Sequence, residues 1–225
     1  MYRCCIFDLD GTLVDSIHAL TYTVNLTLKE YDLGPVTDDL VKIFVGDGAK
    51  KLVERALIHC GDEKLVHYDE AVELYKTLFR EHCLYRVDAY DGIRELLAFL
   101  KERGIHTAVY SNKPHEQTLV NVESVFGKDC FDIVLGERES EGIKRKPDPA
   151  GAFYIAETLG VKPEECLYFG DTNTDMKTGA AAGMDTVGVL WGFRDRTELE
   201  EYHPKYIISH PREIMEELAA IQVTV

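Results

Sequence analysis

Two carboxylates one residue apart, Asp8 and Asp10, close the short apolar run at residues 3–7 and lead into Gly11-Thr12. So close together, they repel one another unless charge or hydrogen bonding compensates. Carboxylates in such a pair can attack an electrophile such as phosphorus, move protons, or grip a hard divalent cation through oxygen. Other polar residues share their setting. Ser111 and Asn112 follow the apolar run at 106–110, and Asp171 comes just after the run at 166–169. Lys144, Arg145 and Lys146 bring positive charge ahead of Pro147-Asp148-Pro149. Plainer roles compete at some of these positions. Asp15 and Asp175 could each cap a helix, and Ser111 could cap the helix that Pro114 helps to begin. Capping explains the pairing of Asp8 with Asp10 poorly.

The elements that must position these residues are visible as alternating patterns. Short apolar runs that suit strands recur at residues 3–7, 106–110, 131–135, 166–169, 186–190 and 206–208. Between them apolar residues fall at helical spacing: Ile93, Leu96, Leu97 and Leu100, then Ala152, Ile155, Ala156 and Leu159, then Ile214, Met215 and Leu218. Strand, helix, strand, repeated, predicts an α/β fold with a Rossmann-like parallel sheet covered on both faces. In such sheets chemistry gathers at the carboxyl ends of the strands. One region breaks the alternation. From about Ser16 to Cys83 there are three helical stripes and no convincing strand: Ile17, Leu20, Val24 and Leu28; Ala49, Leu52, Val53, Ala56 and Leu57; Ala71, Val72, Tyr75, Leu78 and Phe79. The pattern predicts an α/β core from residues 1–15 and 84–225, with an inserted helical domain at 16–83. Two crossings between them make natural hinges.

The chain of 225 residues is 45% hydrophobic, enough to bury a substantial core. Its 40 acidic against 25 basic residues give a formal charge of −15. That balance disfavours nucleic acid and anionic membrane surfaces. A small anion remains a feasible partner where a few cations, backbone amides and a metal converge. The six cysteines form no CxxC pair, and Cys4 and Cys5 sit in an apolar run as core residues. His59-Cys60 and His82-Cys83 have no matching second pair at zinc-site spacing. No apolar run reaches membrane-spanning length, and the start is too short for a signal peptide. A cytoplasmic location is the expectation, as a monomer or homodimer.

The run Asp8-Leu9-Asp10-Gly11-Thr12-Leu13-Val14-Asp15-Ser16 resembles the first signature of the haloacid dehalogenase-like hydrolase superfamily. Ser111-Asn112-Lys113 resembles the second, Lys146-Pro147-Asp148-Pro149 the third, and Gly170-Asp171-Thr172-Asn173-Thr174-Asp175 the fourth, in order over nearly the whole chain. The resemblance implies a Mg²⁺-dependent phosphatase. Asp8 would be its nucleophile, forming an aspartyl-phosphate. Asp10 would be the general acid and then the base. Lys146 would offset charge and Ser111 would donate to the phosphoryl group. Mg²⁺ would be held by Asp8, Asp171 and the Asp10 backbone carbonyl, and Asp175 would orient Lys146 or a metal-bound water. Gly11, Thr12 and Asn112 would contact substrate.

The resemblance also makes the 16–83 insertion a helical cap that selects substrate. Gly46 and Gly48, ahead of a helical stripe, would present backbone amides to a substrate carboxylate. An ordinary helix-start loop accounts for them equally well. Asp47 puts a negative charge in that loop that Lys50 or Lys51 would have to answer. This loop, together with residues 188–194 and 206–211, looks like the phosphoglycolate phosphatases, which implies 2-phosphoglycolate or another small anionic phosphate ester as substrate. Pyrophosphatase-like activity is the nearest rival. A sugar-phosphate phosphatase or mutase ranks lower, and a non-catalytic phosphate-binding protein ranks last.

Overall fold

The computed structural model describes residues 1–223, which divide into two compact units, residues 15–88 and the rest. The chain opens with β1 (Cys4–Phe7) and β2 (Val14–Asp15), then runs through α1 (Ile17–Glu30), α2 (Asp38–Phe44), α3 (Ala49–His59) and α4 (Tyr68–His82). After β3 (Asp88–Ala89) come α5 (Ile93–Glu102), β4 (His106–Pro114), α6 (His115–Phe126) and β5 (Ile133–Glu137). Then follow α7 (Ala150–Leu159), β6 (Cys166–Gly170), α8 (Asn173–Ala181), β7 (Asp185–Val189), α9 (Arg196–Glu200), β8 (Tyr206–Ile208) and α10 (Pro211–Val223).

The larger unit is an α/β Rossmann-like fold. Its six-stranded sheet has the order β5-β4-β1-β6-β7-β8, with every neighbour parallel. β1 lies at the centre and is buried along its whole length. Burial on both faces accounts for its unbroken apolar run, where a half-exposed strand would alternate. On one face Cys4, Ile6, Tyr110, Ile155, Tyr168 and Met184 pack together. Ile93, Leu96, Leu97 and Leu100 form the buried stripe of α5. Each such side chain contributes roughly 1.5–3 kcal/mol by leaving water. Cys4 pairs in register with Cys166 on β6, and both are free thiols in the core.

Register decides where the chemistry gathers. Phe7 lies between Val109 of β4 and Phe169 of β6. The polar residues after β1, within β4 and after β6 therefore emerge together at the carboxyl ends of the central strands. β4 runs past the predicted end at Tyr110, because an irregularity between Tyr110 and Pro114 lets Pro114 pair with Glu137. Ser111, Asn112 and Lys113 sit inside that irregular stretch. β5 begins two residues later than its apolar run, since Asp132 first ties to Thr107 through its backbone N–H at 2.8 Å.

The unit at residues 15–88 is a helical bundle of α1 to α4. Ile17, Leu20, Val24 and Leu28 are buried on α1, Leu52, Val53, Ala56 and Leu57 on α3, and Ala71, Val72, Tyr75 and Phe79 on α4. The carboxylate of Asp62 is buried and accepts the backbone N–H groups of Val66 and His67, each at 2.9 Å. Gly46 and Gly48 lie between α2 and α3 with positive φ angles of 115° and 85°. The charge of Asp47 between them is answered by Arg55, whose Nη2 reaches Asp47 Oδ2 at 2.6 Å while Nη1 donates to the carbonyl of Phe44. Lys51, expected to serve Asp47, instead pairs with Glu54 at 2.8 Å. A residue one turn further along α3 has the better reach.

Candidate active site

Asp8 leaves the end of β1 with its backbone N–H bonded to the carbonyl of Phe169 at 3.0 Å. Its carboxylate is buried, and Oδ1 lies 2.8 Å from Lys146 Nζ. That contact has the distance of an ion pair without the angle of a hydrogen bond, so the oxygen keeps a lone pair to offer. Burial pushes the Asp8 carboxyl up to about 7. Lys146 opposes the rise, and the negative charges of Asp175 and Asp10 add to it.

Lys146 is itself buried and contacts a second carboxylate, Asp175 Oδ1, at 2.6 Å. Burial favours its neutral form, but Asp175 and Asp8 outweigh that and hold the ammonium well above the ordinary lysine value. Two backbone anchors aim the side chain. Asn112 Nδ2 donates to the Lys146 carbonyl at 3.1 Å, and the Lys146 N–H donates to Asn112 Oδ1 at 2.9 Å. The Tyr110 hydroxyl donates to the Lys144 carbonyl at 3.0 Å. Asn112 thus fixes the lysine segment with both ends of its amide. Asp175 combines two readings. Its Oδ2 accepts the backbone N–H and the hydroxyl of Thr172 at the start of α8, while Oδ1 holds Lys146.

Asp171, one residue past β6, is fully buried. Thr12 Oγ1 donates to its Oδ1 at 3.0 Å, and the Phe193 backbone N–H donates to its Oδ2 at 2.8 Å. Burial, then the charges of Asp175 and Asp8, raise its carboxyl well above the usual range against these two donors. The side chain is wedged between two glycines. A Cβ at Gly11, whose φ is +88°, would fall 2.3 Å from Asp171 Oδ2, and one at Gly192 would fall 2.3 Å from Asp171 Cβ. Gly11 and Thr12 thus help to shape the setting of this carboxylate.

Asp10 is half-buried and pairs with Lys113, Nζ to Oδ1 at 2.8 Å. Ser111 is buried, and its Oγ accepts the Lys113 N–H at 3.3 Å, which leaves the hydroxyl proton free to donate. It does not cap α6, whose capping position is Pro114.

Ligand oxygens of Asp8, Asp171 and Asp175 lie within 4.8 Å of one another. With Asp10 they make four carboxylates against the two ammonium groups of Lys113 and Lys146. The surplus of two carboxylates over ammonium groups, the hard oxygen donors and the raised carboxyls of Asp8 and Asp171, which a neighbouring cation would bring down, all fit a divalent cation such as Mg²⁺. The side chain of Asp10 stands outside the cluster, turned to Lys113. Lys113 and the Gly192-Phe193 pair had no role in the site as read from the sequence, though both fall in stretches singled out there. Lys113 lies within the second motif, whereas nothing local to Phe193 signals a partner 22 residues earlier.

A sequence profile of the haloacid dehalogenase-like hydrolases matches residues 5–189. The chain belongs to that family. Among its relatives, a phosphoglycolate phosphatase from Rhodospirillum rubrum is 37% identical over 199 residues, covering 86% of this chain and 81% of that one. The phosphoglycolate phosphatase of Aquifex aeolicus is 32% identical over 213 residues, 95% of each chain. A solved structure from Lactobacillus delbrueckii subsp. bulgaricus is 31% identical, with a TM-score of 0.88 over 96% of this chain and 98% of that one. The hydrolase has no helix, among its described residues, long and apolar enough to cross a membrane.

Proposed function

We propose that this hydrolase cleaves small phosphate monoesters through an aspartyl-phosphate on Asp8, with 2-phosphoglycolate as its substrate. The observation that carries the reading is the buried Asp8 carboxylate beside Lys146, with oxygens of Asp171 and Asp175 close by. An Asp8 oxygen attacks phosphorus while the bond to the leaving oxygen breaks, and Asp10 gives that oxygen its proton. Water then attacks the phosphorus of the aspartyl-phosphate and loses a proton to Asp10. Inorganic phosphate leaves and the Asp8 carboxylate is restored. Lys146 offsets the charge that the phosphoryl oxygens bring into a buried site, and the Ser111 hydroxyl donates to one of them. Mg²⁺ would be held by Asp8, Asp171 and the backbone carbonyl of Asp10, and would supply the positive charge that keeps Asp8 ionised.

The choice of 2-phosphoglycolate rests on the two relatives of that name. In this reading the helical unit is the substrate-selecting cap, and the amides around Gly46 and Gly48 accept the substrate carboxylate. A cytoplasmic setting, and a monomer or homodimer, belong to the same proposal. The test is phosphate release with Mg²⁺ from 2-phosphoglycolate, glycerol phosphates, hexose phosphates and pyrophosphate, compared as kcat/KM. The highest value is expected for 2-phosphoglycolate. Fast turnover of pyrophosphate with none of 2-phosphoglycolate would reverse the substrate assignment.

A further inference from the structure

Lys113 is a buried ammonium that the proposed chemistry leaves unused. Its side chain is 2% exposed, against 18% for Asp10, whose Oδ1 it meets at 2.8 Å. Burying an ammonium is costly unless it is paired and hydrogen-bonded, and here the pairing is built from several sides. Asn121 Oδ1 lies 3.3 Å from the same Nζ, and the Asn121 amide is oriented by donating its Nδ2–H to the Gln117 carbonyl at 3.0 Å. The Lys113 backbone is held as well, its N–H on Ser111 Oγ and its carbonyl on the Thr118 hydroxyl at 3.2 Å. Each carboxylate of the opening pair thus has its own cation: Lys146 for Asp8, Lys113 for Asp10.

We propose that Lys113 is a positioning residue that holds the Asp10 carboxyl where it delivers its proton to the leaving oxygen. This rests on Asp10 being the general acid. Lys113 occupies one oxygen of Asp10 and leaves the other to carry the proton. Asn121 keeps the ammonium from swinging away. A proton donor that drifts loses most of its value, because transfer requires hydrogen-bond reach. The loss depends on the ester. An alkoxide leaves poorly without a proton, whereas p-nitrophenolate leaves without help.

The experiment compares kcat/KM at saturating Mg²⁺ across p-nitrophenyl phosphate, phenyl phosphate and alkyl phosphates including 2-phosphoglycolate. Since kcat/KM covers steps up to departure of the leaving group, it isolates the proton delivered by Asp10. Lys113→Met is expected to lose about 100-fold on alkyl esters and at most a few-fold on p-nitrophenyl phosphate. Asn121→Leu, which keeps the lysine and removes the amide oxygen beside its ammonium, is expected to show a smaller loss with the same dependence on leaving group. It carries the test if Lys113→Met does not fold. Equal loss on all esters, or no loss, overturns the proposal. Asp10→Asn separates the two levels. If it too loses all esters equally, the general-acid reading fails and takes the proposal with it; if it is selective and the lysine variant is not, Lys113 alone is misassigned.

Discussion

In the helical unit the buried carboxylate of Asp62 is answered by two backbone amides. In the α/β unit the buried charged side chains of Asp8, Lys113, Lys146, Asp171 and Asp175 answer one another or the half-buried Asp10, with help from Thr12, Thr172 and Phe193. The ion pairs of the helical unit, such as Lys51 with Glu54 and Lys76 with Glu73, lie at the surface, where each adds little. The contrast separates a charge that finishes a fold from charges the fold must carry for another purpose. Asp62 fastens the turn that leads into α4. The cluster at the carboxyl ends of the central strands holds two more carboxylates than ammonium groups, and the raised carboxyls of Asp8 and Asp171 mark an arrangement that folding alone does not favour.

Breaking the α/β cluster at its centre has the largest expected effect. Asp8→Asn is expected to lower Mg²⁺-dependent phosphate release by at least about 1,000-fold, with the fold retained by circular dichroism. Next comes Lys146→Met, which strands Asp175 and Asp8 together in the interior. Loss of one partner from a buried pair costs about 3–5 kcal/mol, readable as a lower urea midpoint, and turnover falls as well. Proton and metal competition follows. The carboxyl of Asp8, raised by burial to about 7, binds its proton more tightly folded than unfolded. The proton-bound fold is therefore favoured at low pH, and that benefit is lost as pH rises through 7. Mg²⁺ affinity, measured by calorimetry, is expected to fall as pH drops below about 7, and the acid limb of kcat/KM to move to lower pH as Mg²⁺ rises. The smallest effect belongs to the helical unit. Arg55→Met removes the guanidinium that pairs with Asp47 and is expected to raise KM for 2-phosphoglycolate a few-fold while leaving p-nitrophenyl phosphate, which has no carboxylate, unchanged. A matching rise for both esters would remove the distinction between the units.

Much of the α/β unit is legible in the order of its residues. β1 announces itself as a continuous apolar run because both its faces are covered, and Asp8, Ser111 and Asp171 because each stands just past or within a central strand. Lys146 and Asp175 are legible through their motifs. What stays hidden depends on contacts between distant segments. The tie from Phe193 to Asp171 exists only because Gly192 lets the chain after β7 approach a buried carboxylate. Asn112 stands in a motif, but nothing in that motif signals that its amide ties down the Lys146 backbone 34 residues away. Lys113 lies in plain view within a motif. Its partner emerges only once the irregularity in β4 has turned it toward Asp10.

Asp175 also links two events that proteins usually keep apart. The first turn of a helix is commonly among the first places to open, since its amides have few partners. In α8 that turn is fastened by the same carboxylate that holds Lys146. Opening it would take a buried ammonium away from one of its carboxylates and leave Asp8 to answer it, so fraying there is tied to breakdown of the interior. Hydrogen exchange at the Thr172 amide is expected to be as slow as in β1, and to quicken together with the core when Lys146 is replaced. The helix end behaves, in dynamic terms, as part of the sheet.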